Sequence, residues 1–169
     1  EEIESKVNKV LDYSEYLSSR YHVVVTNPPY MGNSHMGSEL KAFIERNFKE
    51  YKYDLFSCFF LRCSILANPN GYMGFMSPYV WMFISSYQNL RKYFIEKKTI
   101  TSLIQLEYSA FADATVPLCV FTLKNTYENI KGNYFRLTEF RGGMEVQNEK
   151  FLEAINNHNH GYYFEVSAE

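Results

Sequence analysis

Apolar residues recur at Ile3, Val7, Val10, Leu11 and Leu17, with Glu and Lys between them. This is near helical spacing and predicts an amphipathic helix over residues 2–18. The run "YHVVVT" from Tyr21 to Thr26 does not alternate, which predicts a strand buried on both faces. Residues 31–37 are rich in Gly, Ser, Asn and Met and read as a loop, and residues 38–49 as a helix. "DLFSCFFLRCSILA" (54–67) is apolar almost all round and predicts a buried helix with Asp54 as N-cap, stopped by the turn "NPNG" at 68–71. A strand follows at 72–77, broken by Pro78, and Ser85 or Ser86 is placed to cap a helix running to about Lys97. Strands are expected at 99–107, 117–124 and 132–140. Residues 144–169 form a polar tail, with "NNHNHG" (156–161) as a loop or frayed end.

Strands alternating with helices predict an α/β fold built on a parallel sheet with crossover helices. The last strands follow one another without a helix, which predicts an antiparallel edge. There is no internal repeat. The 169 residues suffice for one domain with its own core. A hydrophobic fraction of 46% against 21% charged excludes a disordered chain. Aromatic residues reach 18%, so rings should dominate the core or a groove. A net charge of −2 leaves this segment without the basic footprint of a self-sufficient nucleic-acid binder. Cys58, Cys63 and Cys119 are odd in number and lack CxxC spacing, which points to buried thiols in a reducing cytoplasm rather than a disulfide framework. No apolar run is long enough to span a membrane.

The sequence most in need of explanation is "VVVTNPPYMGN" (23–33), where a strand runs straight into Asn27-Pro28-Pro29-Tyr30. In an open α/β sheet, ligands sit beyond the carboxyl ends of the strands. Asn27 and Pro28 each precede a proline and are held extended, and the proline rings fix φ, so the turn is stiff. Such a turn can aim the Asn27 side-chain oxygen and the Pro28 carbonyl at one point. Two acceptors at one point suit an NH₂ group, holding its hydrogens and turning its lone pair toward reaction. No group with a near-neutral pKa is needed. Tyr30 adds a flat face on which a planar π-system can stack, worth ~1–3 kcal/mol per base.

"NPPY" after "VVVT" resembles motif IV of the amino-group methyltransferases that use S-adenosylmethionine, and the resemblance extends along the chain in order. "DLFSCFFLRC" (54–63) resembles motif V, whose aromatic edge borders the cofactor adenine; Phe59 is the matching ring. "GYMGFMSPYVWM" (71–82) resembles motif VI. "FADATVPLCVFTL" (111–123) resembles motif VIII, which opens with the ring that stacks on the flipped base opposite the motif IV tyrosine; Phe111 matches it. The pattern looks most like the adenine methyltransferases of type IIG restriction-modification and BREX-type phage-exclusion systems. It implies a Rossmann-like methyltransferase sheet and a base-flipping mechanism on double-stranded DNA. It makes Asn27, Pro28 and Tyr30 the catalytic residues, Tyr30 and Phe111 the stacking pair, and Phe59 and Pro29 cofactor contacts, with no metal. Residues 1–20 are then a leading helix, 21–140 the catalytic half of the domain, and 141–169 a linker or the start of a target-recognition region.

The family also holds the cofactor's amino-acid end at a glycine-rich turn before motif IV. None of the eight glycines pairs as GxG. The chain is therefore expected to be the C-terminal part of a methyltransferase domain, inactive alone. Two other readings stand beside this one: a methyltransferase acting on a protein glutamine amide or an RNA guanine, and a non-catalytic scaffold. Among the remaining residues, His22, His35, His158 and His160 read as unligated, Tyr79 and Trp81 as packing, and Asp113 as a loop cap. Lys97, Lys98 and Arg141 to Gly143 are candidate phosphate neighbours, and Ser34–Met36 is a candidate flap over the target.

Overall fold

The computed structural model describes residues 2–108, 110–111 and 116–167. The expected Asp113 cap therefore lies outside the described residues. Six strands form one sheet: β1 (Tyr21–Thr26), β2 (Ala67–Pro78), β3 (Thr99–Gln105), β4 (Leu118–Lys124), β5 (Gly132–Arg136) and β6 (Tyr163–Val166), in the order β1-β2-β4-β3-β5-β6. The helices are α1 (Glu2–Ser18), α2 (Ser38–Asn47), α3 (Leu55–Leu66), α4 (Gln88–Lys97) and α5 (Gly143–Asn156). β1 pairs with β2, and β3 with β5, in parallel; the pairs β2/β4, β3/β4 and β5/β6 are antiparallel. Strands β1, β2, β3 and β5 thus point one way, and their carboxyl ends share one rim of the sheet.

The expected α/β sheet is present, but the reversed strand is not confined to the edge. The crossover from β2 through α4 sets β3 one place too far to pair with β2. β4 then returns into the gap, bonding to both neighbours. β6 supplies a second reversed strand beyond β5.

The core is aromatic. Phe60 on α3 lies 4.7 Å from Phe75, 5.3 Å from Phe121, 5.7 Å from Phe94 and 5.5 Å from Phe56, ring centre to ring centre. Edge-to-face and tilted pairs of this kind add to the gain from area burial. Trp81 is 3% exposed and packs on Phe94 and Phe121, in keeping with the packing role expected of it. Cys58, Cys63 and Cys119 are buried free thiols. Burial pushes them up to about 11, 11 and 12 respectively, so they are protonated and unreactive at neutral pH.

Several local expectations need correction. β1 is not buried on both faces: Val23 and Val25 share one face and are exposed, while Val24 on the other face packs on the core, so only one face of the strand is covered among the described residues. Helix α1 forms where the spacing puts it but buries none of its residues, its apolar stripe facing outward. Ser85 and Ser86 do not cap α4. They lie in a short 3₁₀ turn, and Tyr87 occupies the cap position without a side-chain bond. The polar tail folds: α5 buries Gln147 and Ala154, and β6 closes the sheet on β5.

The turn signal "NPNG" is real but sits within β2, as an irregularity opposite Tyr21–Val23. Asn70 takes φ +63°, the left-handed region in which Asn is enriched. Asn125 holds this corner, its side-chain amide donating to the carbonyls of Ser64, Ala67 and Asn68 at 3.0–3.1 Å. Gly71 is buried there, and a Cβ on it would lie 2.9 Å from the His22 carbonyl oxygen and 3.0 Å from that of Asn68. Both obstacles are backbone and cannot swing aside. Gly71→Ala should therefore lower stability by about 1–3 kcal/mol, read from the urea midpoint. An unchanged midpoint would show that β1 and β2 separate freely here.

Candidate functional site

The motif emerges at the carboxyl rim. Pro28 is buried under the turn, while Asn27, Pro29 and Tyr30 are exposed. The Tyr30 hydroxyl donates to Asn27 Oδ1 at 2.7 Å and lies 3.3 Å from the Met76 carbonyl on β2. The expected acceptor is thus already engaged by the residue that should supply the stacking face. A carboxamide oxygen has two acceptor sites, so Tyr30 takes one and fixes the direction of the other. Burial, and secondarily Cys119, raises the Tyr30 hydroxyl above its ordinary value, keeping it a donor through neutral pH.

The segment after Tyr30 is stapled to the start of α3. Met31 N–H donates to Asp54 Oδ1 at 3.0 Å, and Phe56 N–H to the same oxygen at 3.2 Å. Leu55 N–H donates to the Met31 carbonyl at 3.0 Å and Asn33 N–H to that of Tyr53 at 3.0 Å, with a bridge between Gly32 and Asp54. Asp54 is the N-cap expected from the sequence. Its second role, holding the backbone just past the motif, has no signature in sequence spacing, because the two segments lie 23 residues apart.

Phe111 also lies at this rim. It is half-buried and packs on the cluster of Leu106, Ala110 and Leu118, which Met76 also joins. Tyr30 and Phe111 are thus drawn toward the same end of β2. Phe59 is half-buried and lines an apolar cavity of about 250 Å³ with Phe43, Phe48, Leu55, Cys58 and Arg62. The loop Ser34–Met36 is pinned rather than free, since Met36 is buried against Ile44 and Cys58. Lys98 lies at the far rim, beside Asn125 and over the Tyr93 ring, with Lys97 next to it at the end of α4. Among the described residues, no group of three or more His, Cys, Asp or Glu could hold a metal ion, and no helix is long and apolar enough to cross a membrane. His158 and His160 stack on Tyr163 and Tyr162 instead.

The chain presents a rigid Asn-Pro-Pro-Tyr turn at the carboxyl rim of a mixed α/β sheet, and comparison with known proteins gives its class. The Eco57I restriction-modification methylase family matches residues 1–111, and the chain belongs to that family. It is 35% identical over 127 residues to the adenine-specific methyltransferase BrxX of Escherichia coli O9:H4 (strain HS), covering 73% of this chain and 10% of that protein. It is 31% identical over 163 residues to the adenine-specific methyltransferase PglX of Lacticaseibacillus casei (strain Zhang), covering 94% and 13%. The chain thus spans only about a tenth of the length of these relatives. In fold it resembles a class I S-adenosylmethionine-dependent methyltransferase from Listeria monocytogenes, with TM-score 0.59 and 17% identity over 82% of this chain and 43% of that one.

Asp54 makes the rim sensitive to pH. Its carboxyl lies above the ordinary value near 3.8, burial outweighing the lowering by the N–H groups of Phe56, Met31 and Leu55. A carboxyl raised in the folded state favours folding at pH below the unfolded value, and that contribution is lost as pH rises through the folded one. Asn caps as well as Asp and does not titrate. The stability of the wild type relative to Asp54→Asn should therefore fall as pH is raised from 3 through the Asp54 value and then level off. A difference that stays flat or rises over this range, measured by urea unfolding, contradicts the assignment.

Proposed function

We propose that this chain forms the target-base half of an S-adenosylmethionine-dependent DNA adenine-N6 methyltransferase that works in restriction-modification or phage exclusion. The observation that carries the reading is the Tyr30–Asn27 hydrogen bond at the end of β1, in a chain of the Eco57I methylase family. A flipped adenine lies between the rings of Tyr30 and Phe111, where stacking offsets the few kcal/mol that extrusion from the duplex costs. Its N6 amino group donates one hydrogen to the free acceptor site of Asn27 Oδ1 and the other to the Pro28 carbonyl. With both hydrogens held, the nitrogen lone pair projects out of the base plane. The acceptors are fixed before the base arrives, so little reorganisation is needed during reaction.

The residues present suit one end of the cofactor. The cavity beside Phe59 is apolar and ring-walled, with the Arg62 side chain at its margin, which fits a flat adenine; Pro29 faces solvent next to the reacting position. When bound, S-adenosylmethionine supplies a methyl group activated by its sulfonium sulfur. Residues 1–26 contain no glycine, so they supply no glycine turn for its amino-acid end. On this reading residues 1–20 lead into the motif, 21–140 carry the catalytic half, and 141–169 lead to the target-recognition region. A second ring at Phe111 favours a nucleobase over a glutamine amide as the acceptor.

In the whole protein, Asn27→Ala should lower adenine methylation by about 10²–10³-fold with cofactor affinity little changed. Phe111→Ala and Tyr30→Ala should each weaken the flipped-base complex by ~1–3 kcal/mol. Methylation and cofactor binding are read with labelled S-adenosylmethionine. Full methylation by Asn27→Ala would overturn the catalytic assignment.

A further inference from the structure

Where β3 ends, the chain turns toward Phe111, and the first residues of that turn carry a buried carboxyl group. Glu107 is 5% exposed. Its Oε1 accepts the N–H groups of two successive glycines, Gly142 at 3.2 Å and Gly143 at 3.1 Å. These glycines open helix α5 with φ +130° and +75°, values that L side chains adopt only under strain. Both donors belong to the helix's first turn, where no intrahelical acceptor is available. The Glu107 backbone N–H donates to Gln147 Oε1 at 3.2 Å. Gln147 is 1% exposed, and its Nε2 donates to the carbonyls of Phe140 and Leu137 at 2.6 and 3.3 Å. Ala110 N–H closes a turn onto the Glu107 carbonyl at 3.3 Å, and the Ala110 carbonyl faces the α5 terminus, 4.0 Å from where a Gly143 Cβ would stand.

We propose that Glu107 is a positioning residue, through which helix α5 holds the turn that presents the Phe111 ring to the target base. This rests on the stacking role assigned to Phe111 above. A buried carboxyl group is costly in a core that a hydrophobe could fill. Here its acceptor joins two segments whose sequence separation is 35–36 residues. The arrangement couples the chain around α5 and β6, which leads away from the catalytic half, to one wall of the base pocket. A shift of α5 would move Ala110, and Phe111 with it.

The test uses the whole protein, with Glu107→Ala, and Glu107→Gln as the conservative variant that keeps the acceptor oxygen. Hydrogen exchange reads the amides of Ala110 and Phe111. The fluorescence of 2-aminopurine placed at the target adenine reads the flipped base. Glu107→Ala should speed exchange at both amides, lower the flipped-base signal and reduce kcat on the order of 10- to 100-fold, as expected when a reacting group is displaced. The KM for S-adenosylmethionine should stay unchanged, and Glu107→Gln should restore most of each loss. Unchanged exchange in Glu107→Ala overturns the proposal, as does faster exchange with full flipped-base signal and full kcat. A uniform rise in exchange across the sheet, unrescued by Glu107→Gln, would mark a merely structural role and also overturn it. If the wild type gives no flipped-base signal at all, the methyltransferase reading falls, and exchange at Ala110 and Phe111 still decides whether Glu107 holds the turn.

Discussion

One oxygen atom, Asp54 Oδ1, ties the motif to the body of the protein. It receives the N–H of Met31, immediately after the Asn-Pro-Pro-Tyr turn, and the N–H of Phe56 in the first turn of α3. The prolines stiffen the turn from within, but stiffness alone does not fix where a turn points. The strand holds it on one side through the β1–β2 pairing, and the Asp54 staple holds it on the other. Helix α3 is in turn locked by Phe60 into the aromatic core formed with β2, β4 and α4. The position of Asn27 is therefore set by the most deeply packed part of the fold, although Asn27 itself is exposed.

How far the sequence disclosed this depends on the range of the forces involved. Helix α3 was legible because its signals are local: a capping Asp54, an apolar run, then a stop at Asn-Pro-Asn-Gly. The motif was legible because two consecutive prolines after a strand leave few backbone conformations. The burial of β1 was misjudged because the pattern "YHVVVT" reports how apolar a strand is, not which neighbours it has. The insertion of β4 between β2 and β3 is likewise a matter of where a crossover lands. Helix α5 does not stand out in the polar tail because one of the two residues it buries is Gln147, whose amide is satisfied by the carbonyls of Leu137 and Phe140, beside the apolar Ala154. A buried polar residue interrupts the apolar stripe that would otherwise mark the helix.

The site shows the same division. Asn27, Pro28 and Tyr30 could be picked out as a group because they are adjacent. Their partners could not, because the Met76 carbonyl and the Asp54 carboxylate reach the motif from other elements, meeting the Tyr30 hydroxyl and the Met31 N–H. Those contacts depend on the three-dimensional register and leave little trace in residue type. Asp54 could be called a cap from its neighbours, yet nothing nearby announces that it also holds Met31.

The Tyr30 hydroxyl changes the chemical picture of the motif. Read from sequence, Asn27 offers a free oxygen and Tyr30 a bare face. In the fold the two are one unit: the hydroxyl donates to the carboxamide oxygen and leaves one of its two acceptor sites open. A donor in that place would repel an amino group rather than bind it. The hydroxyl's own pKa is raised by burial, so it stays protonated and the choice of acceptor is insensitive to pH near neutrality. The turn's rigidity and the tyrosine's orientation are thereby two parts of the same constraint on the Asn27 oxygen.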